Sequence, residues 1–90
     1  MSPFIPAAER IERARALIEK ARHFPVPAET GKFDLSYIAQ VKNLLQKARD
    51  LVKFIPYTPS ATAEMKNQVK EIFEEADRAN KEILHGEMYR

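Results

Sequence analysis

The sequence predicts an all-α protein: an antiparallel, up-down-up three-helix bundle with helices at about residues 6–22, 35–55 and 60–85. Three observations carry this expectation. Apolar residues recur at alternating three- and four-residue spacing in three separate segments, proline clusters stand between those segments, and the 90 residues contain only two glycines. A chain of this length fills one core, so residues 1–90 are read as a single helical domain.

The first helix begins near Pro6, because proline suits the first helical position. Ile11, Ala14, Ile18 and Ala21 make one apolar stripe, with Leu17 beside it. Alanine at two of these positions lets a neighbouring helix come close. Arg10 falls in the same arc, so its guanidinium must extend past the stripe or meet a carboxylate. The segment HFPVPAETGKF then breaks the helix with Pro25, Pro27 and Gly31.

Asp34 is a good N-cap for the second helix, with Phe33 and Ile38 placed as a hydrophobic staple around it. Ile38, Val41, Leu45, Ala48, Val52 and Ile55 continue the spacing, and Tyr37, Leu44 and Leu51 widen the stripe. This breadth makes helix 2 the expected centre of the core. Pro56 ends it. Thr58 or Ser60 caps helix 3, and the sequence leaves both open. Met65, Val69, Ile72, Ala76, Ala79 and Ile83 form the third stripe, broadened by Phe73 and Leu84, with Asn80 inside its arc. The pairs Lys70/Glu74, Glu74/Arg78 and Asp77/Lys81 have the spacing of ion pairs on its solvent face.

The phrases ALIEKAR (16–22), NLLQKAR (43–49) and EIFEEAD (71–77) echo one another at nearly even intervals. Each lies in a single helix, whereas a solenoid repeat needs a two-helix unit, so the echo is read as helix grammar.

Composition narrows the function classes. Without cysteine there is no disulfide, thiolate ligand or sulfur redox chemistry. No apolar run approaches the ~18–20 residues that cross a bilayer, and the N-terminal segment lacks a basic region followed by an apolar one. A cytoplasmic protein without membrane attachment is therefore expected. His23 and His85 stand at helix C-termini, where the helix dipole favours them. Glu71, Glu74, Glu75 and Asp77 spread around helix 3 rather than converging. No nucleophile–base set, phosphate-cradling loop or zinc-ligand spacing is present, so no enzyme activity, cofactor or metal is expected.

Two partner classes follow. The first is a protein partner or a second copy of the chain, docking along the Ala14/Ala21 side of helix 1 or the Phe73/Leu84 edge of helix 3. The repeated phrases PFIP (3–6) and KFIP (53–56) add Phe4, Phe54 and Tyr57, which either cap the core or form an apolar patch for that partner. The second is nucleic acid, tracked by Lys42, Gln46, Arg49 and Lys53 along one stripe of helix 2. The outline of three helices with an apolar groove between two is similar to small adaptor modules such as the microtubule-interacting and trafficking domain. That resemblance implies a non-enzymatic interaction module or accessory subunit and assigns no residue a role.

Overall fold

The structure, a computed structural model, describes residues 6–29, 31 and 34–84. It contains α1 (Ala7–Arg22), α2 (Leu35–Val52), a 3-10 turn (Ile55–Tyr57) and α3 (Ala63–Leu84). The bundle is up-down-up. Arg10 of α1 reaches the carbonyl of Leu51 late in α2, while Phe24, just past α1, packs its ring 6.1 Å from that of Tyr37, tilted by 40°, early in α2. These two helices therefore run antiparallel. Arg15 pairs with Glu71 and Arg22 with Glu82, which fixes α1 and α3 as parallel.

The stripes read from the spacing meet in one core. Leu45, Ile72, Val41, Val52 and Val69 are its largest enclosed side chains, each contributing roughly 1.5–3 kcal/mol relative to exposure. Ala14, Ala21, Ala48, Ala76 and Ala79 have no exposed surface at all, so all three helices contribute small residues where they approach. Helix α2 supplies the most buried positions, as its broad stripe requires.

Several boundaries differ from expectation, each for a local reason. Pro6 is the N-cap rather than the first helical residue, with ψ of 150° and its carbonyl accepting from the Arg10 amide at 3.0 Å. α2 ends at Val52, three residues before the expected limit, because Pro56 has no amide hydrogen to give the Val52 carbonyl and its ring crowds that oxygen. The chain tightens into the 3-10 turn, which still brings Ile55 into the core. α3 is capped by neither Thr58 nor Ser60: Thr62 Oγ1 accepts from the Met65 amide at 3.0 Å. Thr58 is occupied otherwise, donating its hydroxyl to the Ile55 carbonyl at 2.8 Å.

Asp34 caps α2 as expected, accepting from the Tyr37 amide at 3.0 Å. Its staple partner Phe33 lies outside the described residues, as do Phe4 and His85. Arg10 Nη1 reaches across to α2 and donates to the Leu51 carbonyl at 3.3 Å. On the solvent face of α3, only Asp77/Lys81 of the three expected pairs closes among the described residues, at 3.4 Å.

Candidate interaction surfaces

Pro56 determines what the α2–α3 connection displays. The turn it enforces sends Ile55 inward to 5% exposure and leaves Phe54 at 67% and Tyr57 at 82%. Ala7 and Arg10 at the start of α1, with Leu51, Phe54, Ile55, Thr58 and Ser60, line a cleft of about 290 Å³ at this end. Of the second Phe-Ile-Pro phrase, then, the isoleucine caps the core and the phenylalanine does not.

A polar relay leads to Phe54. Gln46 donates to Asp50 Oδ1 at 3.0 Å, and Lys53 Nζ lies 3.2 Å from the same oxygen. Lys53 Nζ also stands 5.2 Å from the centre of the Phe54 ring, within range of a cation–π attraction. The hydrogen bond from Gln46, then that from Lys53, holds the Asp50 carboxyl below its ordinary value.

This relay alters the basic stripe. Asp50 stands one turn from both Gln46 and Lys53, at i+4 and i−3, and its carboxylate engages both. Lys42 is exposed and Arg49 half-buried, and neither joins an ion pair among the described residues. The positive charge of α1 is largely spent within the fold: Arg13 pairs with Glu9 at 2.8 Å, Arg15 with Glu71 at 3.3 Å and Arg22 with Glu82 at 2.6 Å.

The Ala14/Ala21 side of α1 offers no docking surface, because both alanines are wholly enclosed by the chain's own core. On the other expected edge, Leu84 is half-buried against the core and Phe73 is 36% exposed. A single such residue is ordinary on a protein surface. Asn80 is half-buried. His23 is the C-cap of α1, with Nδ1 3.0 Å from the Glu19 carbonyl and 3.7 Å from its carboxylate. Among the described residues, no three His, Asp or Glu side chains are grouped to hold a metal ion, and no helix is long and apolar enough to cross a membrane.

One surface escaped the sequence reading. Leu17 and Leu51 sit at facing edges of α1 and α2 and floor two adjoining hollows of about 330 and 360 Å³. Both leucines were visible as residues widening their stripes. Their meeting depends on which edges of the helices adjoin, and spacing within one helix carries no such information.

No protein-family model, no curated protein and no solved structure matches the chain.

Proposed function

We propose that the chain is a non-enzymatic helical protein–protein interaction module or small accessory subunit, docking through the bundle end that carries Phe54 and Tyr57. The observation supporting this is the exposure of both aromatics in the turn around buried Ile55, with Phe54 lining the cleft at that end. Aromatic side chains supply much of the energy of protein interfaces, because they bury a large area at low entropic cost. The partner is another protein or a second copy of the chain.

Site-specific photo-crosslinking tests this reading. A photoreactive residue at position 57 should yield a discrete protein adduct in cells, while the same residue at exposed Glu64 should not. If position 57 gives no adduct, or the same adducts as position 64, the reading is wrong.

A second reading is nucleic-acid binding, supported by Lys42, which joins no ion pair among the described residues, and by Arg49 along one face of α2. A low-salt gel shift with Lys42→Glu, Arg49→Glu and Lys53→Glu together tests it. Absent binding, or binding that the triple variant leaves unchanged, removes it.

A further inference from the structure

We propose that the groove between α1 and α2 is the seat of an acidic amphipathic helix from a protein partner. This rests on the interaction-module reading and names the chemistry of its partner. The floor is apolar: Leu17 and Leu51 line both hollows, and Ala16 extends one of them. The rim is cationic. Arg13 and Lys20 stand along one hollow, Arg10 and Lys47 along the other, and among the described residues Asp50 is the one acid lining either.

The state of each charge sharpens this picture. Asp50 is already engaged by Gln46 and Lys53, Arg13 by Glu9, and Arg10 by the Leu51 carbonyl. Lys20 and Lys47 are exposed and join no ion pair among the described residues. They are the two ammonium groups best placed to take carboxylates from outside. Arg10 to Lys20 spans ten residues, or ~15 Å at 1.5 Å per residue, which matches about three turns of a docked helix. Leu51 and Arg10 also line the cleft beside Phe54, so the groove continues to the exposed aromatic end.

The occupant follows from complementarity. An apolar residue at every third or fourth position would rest on Leu17 and Leu51, with flanking glutamates meeting Lys20 and Lys47. A phosphate backbone would gain nothing from a leucine floor.

The test uses the full chain and a fluorescent three-turn peptide with leucines at i, i+4 and i+7 and glutamates flanking them. Three controls accompany it: a scrambled peptide, one with lysine replacing each glutamate, and a K20E/K47E protein whose fold is checked by circular dichroism. We expect binding with a dissociation constant below about 100 μM, weakened in high salt. K20E/K47E should weaken it by about tenfold and bind the lysine peptide better than the unaltered protein does. Phosphatidylserine vesicles and a duplex DNA are run in parallel.

The proposal is overturned if the scrambled peptide binds equally, if K20E/K47E changes nothing, or if vesicles or DNA bind more tightly through the same two lysines. If those results come with a specific adduct at position 57, only the groove assignment falls. If position 57 gives none either, the interaction-module reading falls with it.

Discussion

Arg22 Nη1 lies 2.6 Å from Glu82 Oε1, tying the last turn of α1 to the last turn of α3. The two residues are 60 positions apart, so this contact exists only when the bundle is closed. Arg22 is the more sheltered partner, at 25% side-chain exposure against 45% for Glu82. A double-mutant cycle with Arg22→Ala and Glu82→Ala should give a coupling of roughly 0.5–1 kcal/mol after solvent screening. The coupling should shrink in high salt, and urea unfolding measures it. A coupling of zero at low salt would mean that the pair does not persist in solution.

Ala21 has no exposed surface, whereas Ala16 on the same helix is exposed. Ala21→Leu should therefore cost about 1–3 kcal/mol through overpacking, with Ala16→Leu near neutral. Thermal unfolding of the two variants makes the comparison. Equal stability would show that α1 is not packed in this register. Burial also disqualifies Ala21→Glu as a probe of partner binding, since a carboxylate there would unfold the bundle first.

Loss of the Thr62 hydroxyl removes the N-cap of α3, and Thr62→Ala should destabilise by about 1 kcal/mol. Ser60→Ala, in the preceding turn, should stay within about 0.5 kcal/mol. Denaturant midpoints separate the two, and the reverse order would move the start of α3.

The Asp50 carboxyl is held below its ordinary value of 3.8 by its hydrogen bonds from Gln46 and Lys53. Since folding lowers this pKa, the associated stability is present above the unfolded value and disappears as pH falls through the folded one. Carboxyl NMR should place the Asp50 midpoint below 3.8, and Gln46→Ala should raise it. An unshifted midpoint, or one indifferent to Gln46, would contradict the relay.

Much of the fold was legible because spacing within a helix reports its buried face directly. Ile11, Ala14, Ile18 and Ala21 are all buried, as are Val41, Leu45, Ala48 and Val52. The helix ends were harder, because they turn on competition for local hydrogen bonds. The sequence offered Thr58 and Ser60 as caps, but the 3-10 turn occupies Thr58 and the cap falls to Thr62. The surfaces were least legible. Ala14 and Ala21 suggested a face for a partner helix, but small residues serve close approach inside a fold equally well. Lys20 reads in sequence only as part of the positive charge of helix 1, and only the packing of α1 on α2 places it and Lys47 around shared leucines.

Because α1 and α3 run parallel, the chain enters the bundle at one pole and leaves it at the other. A helix of 22 residues, the length of α3, spans ~33 Å at 1.5 Å per residue. Cargo fused ahead of Ala7 and cargo fused beyond Leu84 would accordingly be held apart, with the bundle acting as a rigid strut between them. An even number of helices would have returned both attachments to the same pole. The odd third helix thus sets the start of α1 and the end of α3 a bundle length apart.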